Sequence, residues 1–295
     1  MKKYFLIVLC SVFLLIGCTD SNVQVRYDVA VSSDSERIAY NVYGTGNTSL
    51  IFIHGWSCDS RYWKNQTSMF SKNYQVITID MAGHGHSSLN RIDYTMLSFA
   101  EDIKAVIDKE KIDRAILIGH SMGGGIIAEA SRLMPKKIIS IIGIDTYQNV
   151  DENFSQEALD GMMEPFENDF VNAAKGFVTP MLPEKTDKNL VNWIMEDMSS
   201  APNDAALSAL QNYLGQYVTG EASLVFEEIN IPVVSINARL WPTNPEANRK
   251  HMLNYKLYYI EESGHFPMLE KPDEFNMLLK EAINYIEKEK TNKDA

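Results

Sequence analysis

The chain has 295 residues, 45% of them apolar and 22% charged, which suits one large domain with an insertion and leaves no stretch for extended disorder. Its formal charge of −12, with no basic stripe, argues against a nucleic-acid partner, because such a surface repels polyphosphate. In chain order, Lys2 and Lys3 precede an apolar run from Phe5 to Ile16. That run falls short of the roughly 20 residues a membrane-spanning helix needs but has the length of a secretory signal core. Residues 1–17 therefore read as a signal and 18–24 as a tether.

Val25 to Val31 and Arg37 to Tyr43 alternate and carry β-branched and aromatic residues, which predicts two antiparallel strands. The rhythm then changes to short, nearly all-apolar runs at Leu50–Ile53, Gln75–Ile79, Ala115–Ile118 and Ile138–Ile144. Strands covered on both faces of a parallel sheet have this composition. Helical stretches lie between them at Arg61–Phe70, Thr95–Lys109 and Met122–Met134. In the second, Met96, Phe99, Ala100, Ile103, Val106 and Ile107 make one helical face. From 146 to 226 the β-like runs stop and helical ones replace them, at Glu157–Phe170, Leu190–Met198 and Asp204–Tyr217. A strand at Pro232–Ile236, a helix at Pro245–Asn254, a strand at Leu257–Ile260 and a helix at Asp273–Lys288 close the chain. The fold class is α/β: a doubly wound, mostly parallel sheet formed by 25–145 and 227–295, with a helical cap at 146–226 over the crevice where such sheets bind ligands.

The signal ends in Leu15-Ile16-Gly17-Cys18, which resembles the lipobox of bacterial lipoproteins. The resemblance implies cleavage before Cys18, acylation of that cysteine, and an enzyme held by lipid in the cell envelope, facing outside the cytoplasm. Of three cysteines only Cys58 lies in the body of the chain, so the mature domain has no internal disulfide and Cys58 reads as a buried thiol.

The strongest chemical signal is Gly119-His120-Ser121-Met122-Gly123, placed after an apolar run and before a helical stretch. That is the strand–turn–helix setting of a nucleophile elbow. Gly119 and Gly123 are there because side chains would clash in so sharp a turn. Ser121 needs a base, and among six histidines His265 lies just beyond the last predicted strand, while His251 sits inside a predicted helix. His84 and His86 lack a third metal ligand at useful spacing, and His120 reads as packing.

From about Leu50 onward, His54-Gly55, Asp80 to Ser87, Gly119 to Gly124 and Gly264-His265 resemble the α/β-hydrolase superfamily, and within it the capped group of esterases, haloperoxidase-like hydrolases, epoxide hydrolases and haloalkane dehalogenases. The last two use an aspartate at the elbow; Ser121 argues against both chemistries. The resemblance implies a serine hydrolase with Ser121 as nucleophile, His265 as base, and the backbone N–H groups of Trp56 and Met122 as oxyanion donors, working without metal or cofactor. The acid departs from the common pattern, since 237–244 contains no carboxylate. Asp145, which closes an apolar run, is the leading candidate; it can also be read as a helix cap, and Glu246 is the second candidate. The expected substrate is a small or medium apolar carboxylic ester. C–C bond, lactone and peptide hydrolysis, and a ligand-sensing module with little turnover, remain open alternatives, and the oligomeric state is unmarked.

Overall fold

The structure, a computed structural model, describes residues 25–294. The signal, the tether and Cys18 lie outside the described residues. Among those described, one sheet contains eight strands: β1 (Val25–Val31), β2 (Arg37–Tyr43), β3 (Ser49–Ile53), β4 (Gln75–Ile79), β5 (Ala115–His120), β6 (Ile138–Ile144), β7 (Val233–Ala238) and β8 (Lys256–Ile260). Their order is β1-β2-β4-β3-β5-β6-β7-β8. The β1–β2 and β2–β4 pairs are antiparallel and the rest are parallel. Every residue of β3 and β5 is buried, which is why these runs are continuously apolar, whereas β2 alternates because one of its faces is only partly covered.

Eleven α-helices accompany the sheet among the described residues. They are α1 (Lys64–Phe70), α2 (Met96–Lys109), α3 (Met122–Leu133), α4 (Gln156–Asn168), α5 (Phe170–Val178), α6 (Lys188–Ser199), α7 (Asn203–Thr219), α8 (Glu221–Leu224), α9 (Pro245–His251), α10 (Pro267–Glu270) and α11 (Pro272–Asp294). The start of α2 follows from Thr95, whose hydroxyl accepts the Ser98 N–H. Helices α4 to α8 form an insertion between β6 and β7, preceded by irregular residues 146–155.

Helix ends differ from the sequence reading in several places: α1 starts at Lys64, α11 runs on to Asp294, and two helices stop early. The helix expected over Glu157–Phe170 stops at Asn168, because Asp169 turns out of helical geometry (φ −154°) and its carboxylate caps a further helix, α5, by accepting the Asn172 N–H. The helix expected to reach Asn254 ends at His251, since Met252 is extended (φ −102°, ψ 117°), and Asn254 at φ +54° then turns the chain toward β8.

The strand order reverses around β3, which pairs with both β4 and β5. Loops leaving the carboxyl ends of strands on either side of such a reversal diverge and open a crevice. The insertion packs on those loops. The Trp56 indole N–H donates to Ala206 O of α7 at 2.7 Å, and the His265 N–H donates to Met181 O at 2.9 Å.

Candidate active site

Strand β5 ends at His120 and α3 begins at Met122, leaving Ser121 alone in the turn at φ +53°, ψ −120°. A β-carbon on Gly119 would sit 2.3 Å from Gly123 O, and one on Gly123 would sit 2.8 Å from both Ile53 O and His54 O. Neither position accepts a side chain, so the turn brings α3 hard against β3 and β5. Ser121 stands at the amino end of α3, where the Met122 N–H belongs to the first-turn donors that the helix itself leaves unsatisfied.

The loop after β3 passes beside Ser121: a β-carbon on Gly55 would lie 3.2 Å from Ser121 Cβ. His54 fixes this loop. Its Nε2 accepts the Met81 N–H at 3.1 Å, which makes Nδ1 the protonated nitrogen, donating to Gly55 O at 2.8 Å. Burial pushes the His54 pKa down, so the ring stays neutral and holds this tautomer. Trp56 follows, with its indole among Phe166, Phe177 and Phe170 of the insertion at ring-centroid distances of 5.5, 5.6 and 6.1 Å.

His265 and Asp145 meet although 120 residues separate them: His265 Nδ1 lies 2.6 Å from Asp145 Oδ2, and both side chains are buried. Asp145 leaves the end of β6 at φ +44°. Its N–H donates to Ile236 O and its Oδ1 accepts the Ala238 N–H at 2.8 Å, so the neighbouring strand β7 sets the carboxylate. Asp145 does not cap the first inserted helix; Ser155 does, accepting the Ala158 N–H. Glu246 lies exposed in the first turn of α9. Cys58 is a buried free thiol whose pKa is pushed well up by burial, which disfavours its thiolate. His251 bridges Glu227 and Asp151 at the end of α9, at 2.9 and 2.6 Å. His86 leans on Asp80, while His84 is buried with its pKa lowered to about 3 by burial. Among the described residues, no group of three or more His, Cys, Asp or Glu side chains is placed to hold a metal ion.

The family of proteins with the α/β-hydrolase fold matches residues 48–272. The chain belongs to that family. This α/β hydrolase is 27% identical over 250 residues to a Haemophilus influenzae protein assigned as an esterase/lipase, covering 83% of this chain and 86% of that one. It is 25% identical to a solved N-acyl homoserine lactone degrading enzyme, with a TM-score of 0.72, covering 85% of this chain and 98% of that one. An esterase from Exiguobacterium antarcticum shares the fold at a TM-score of 0.76 and 19% identity, covering 89% of this chain and all of that one.

Several groups around His265 of this α/β hydrolase escaped the sequence reading. The Glu270 carboxylate accepts the N–H groups of Gly264 and Phe266, each at 3.0 Å, and the Thr186 hydroxyl at 3.0 Å. Asn237 of β7 donates to Thr146 O at 3.0 Å and accepts the Thr146 N–H at 3.3 Å, which pins the chain just past Asp145. A polar residue in the apolar run of β7 was the available signal for Asn237. The backbone acceptors Met181 O and Ala206 O left no signal at all.

Proposed function

We propose that this hydrolase cleaves carboxylic esters through an acyl-enzyme, with Ser121 as nucleophile, His265 as general base and acid, and Asp145 as the acid that orients His265. One observation carries the reading: Asp145 Oδ2 lies 2.6 Å from His265 Nδ1 at the rim where Ser121 stands in its turn. With the Nδ1 proton held by the carboxylate, Nε2 keeps its lone pair and takes the Ser121 proton as Oγ attacks the ester carbonyl. The oxyanion is held by the Trp56 and Met122 N–H groups, a pairing supported by the closeness of the Gly55 loop to Ser121 Cβ and by the open first turn of α3. His265 Nε2–H then protonates the departing alkoxide. Water attacks the acyl-enzyme as His265 Nε2 takes one of its protons, and that proton passes to Ser121 Oγ as the Oγ–acyl bond breaks, releasing the acid and free Ser121.

The inserted helices act as a cap. Their Phe166, Phe170 and Phe177 rings gather around Trp56, which favours a small or medium apolar acyl group next to the oxyanion loop. The lactone-degrading neighbour, at 25% identity over 85% of this chain, favours a cyclic ester as the second substrate class. Cys18 carries the lipid that holds the enzyme in a bacterial envelope; the sequence around it is the support for this. Metabolic labelling with palmitate, with Cys18→Ala alongside, tests the anchor: label that persists in the variant rules it out. For the chemistry, p-nitrophenyl esters of increasing chain length and an acyl lactone are compared with wild type and Ser121→Ala. The expected result is Ser121-dependent turnover with a chain-length optimum. Equal rates for the two proteins would refute the assignment.

A further inference from the structure

His120 is a buried histidine that the reaction above does not use. Its Nε2 lies 2.7 Å from the backbone carbonyl of His265, so Nε2 carries the proton and donates it there. Burial and the neighbouring His265 push the His120 pKa well down, which keeps the ring neutral and this tautomer in place. Its Nδ1 is buried without a hydrogen-bond partner and sits against Gly55, where a β-carbon would come within 2.8 Å of it. A polar imidazole with an unsatisfied nitrogen costs free energy that an apolar residue of similar size would not, so packing alone does not account for it.

The hydrogen bonds of the base loop show what His120 adds. Glu270 holds the N–H groups of Gly264 and Phe266, and Met181 O of the insertion holds the N–H of His265. These contacts brace the loop on itself and on the insertion, but none reaches the elbow. The His120 bond is the one, among the described residues, that joins residues 264–266 to residues 119–123. Because His120 immediately precedes Ser121, that bond fixes the loop bearing the base relative to the turn bearing the nucleophile. The rings of His120 and His265 also pack together, with centroids 4.6 Å apart.

We propose that His120 is a positioning residue: its Nε2–H, by holding the His265 carbonyl, sets the separation of base and nucleophile. The proposal rests on the reading of His265 as the base, and the test separates the two. His120→Gln carries an amide donor long enough to reach His265 O. His120→Asn carries the same amide on a stem one methylene shorter, which falls short of it. With p-nitrophenyl acetate, His120→Asn is expected to lower kcat about 10- to 100-fold with KM nearly unchanged, since a misplacement of about 1 Å has effects of that size. His120→Gln is expected to stay within about threefold of wild type, and fluorophosphonate inactivation rates should fall in the same order. Circular dichroism and thermal midpoints accompany each variant. Asn and Gln variants that are both folded and equally active, or equally slow, overturn the proposal, because reach then makes no difference. A folded His265→Gln variant with wild-type turnover would instead remove His265 as base, whatever His120 does.

Discussion

The core loops and the helical insertion meet at the same site but hold it by different means. Ser121 and Asp145 stand at the ends of adjacent strands, and ladder-type bonds from the Ser121 N–H to Ile144 O and from the Asp145 N–H to Ile236 O carry the sheet's geometry into both. In the described structure the insertion meets the site mainly through carbonyl oxygens and aromatic faces, Met181 O on His265, Ala206 O and three phenylalanines on Trp56, with the Thr186 hydroxyl on Glu270 beside them. Groups placed by strand ends depend on particular residues at particular positions. Groups braced by a neighbouring carbonyl depend on where a helix sits, and many sequences can put a helix there.

The sharpest way to break this contrast is at Asp145. In Asp145→Asn the amide offers His265 a donor as readily as an acceptor and favours the wrong tautomer, so kcat on a reactive ester is expected to fall by about 10⁴-fold with the fold intact. Glu246→Gln, on the exposed first turn of α9, is expected to leave kcat unchanged. The reverse pattern would move the acid off the sheet.

A second test concerns acid, and places the sensitive groups in the core loops. His84 is buried there with its pKa lowered to about 3, chiefly by burial and then by His54. Its folded pKa lies below the ordinary value of 6.5, so between the two the unfolded chain binds the extra proton. The stability tied to neutral His84 is complete above about pH 6.5 and is lost as the pH falls toward 3, on the order of 2 kcal/mol between pH 7 and 5. His84→Asn keeps a donor for Ala82 O but does not titrate. Denaturant melts should therefore show a smaller loss from pH 7 to 5 in the variant than in wild type; equal losses would place the acid sensitivity elsewhere.

An effect of similar size is expected where the insertion meets the core. Trp56→Phe removes the indole N–H bond to Ala206 O and part of the packing against the three phenylalanines, a loss of about 1–3 kcal/mol in unfolding free energy. An unchanged melting curve would mean that the insertion is not braced on Trp56.

The same contrast explains what could be read in the sequence. Strands β4 and β6 follow the runs Gln75–Ile79 and Ile138–Ile144, because burial on both faces writes itself as a nearly continuous apolar run. The elbow was legible because its geometry excludes a side chain at Gly119 and Gly123. Asp145 stood out as a charge closing an apolar run, and the structure places its carboxylate on His265 Nδ1. The insertion was legible as helical but not in its joints: Asp169 reads equally well inside a helix or as the cap of the next one, and context made it the cap. Glu270 was hidden for another reason. Its partners are the backbone N–H groups of Gly264 and Phe266, and every non-proline residue has such a group.

The central claim is that Ser121 is an activated nucleophile. Intact-mass and peptide-mapping analysis of residues 25–295 after fluorophosphonate treatment, with Ser121→Ala alongside, tests it most directly. The account predicts one adduct per chain, mapped to Ser121 and absent from the variant. Folded wild-type protein that takes up no adduct, or a variant that is labelled like wild type, would contradict it.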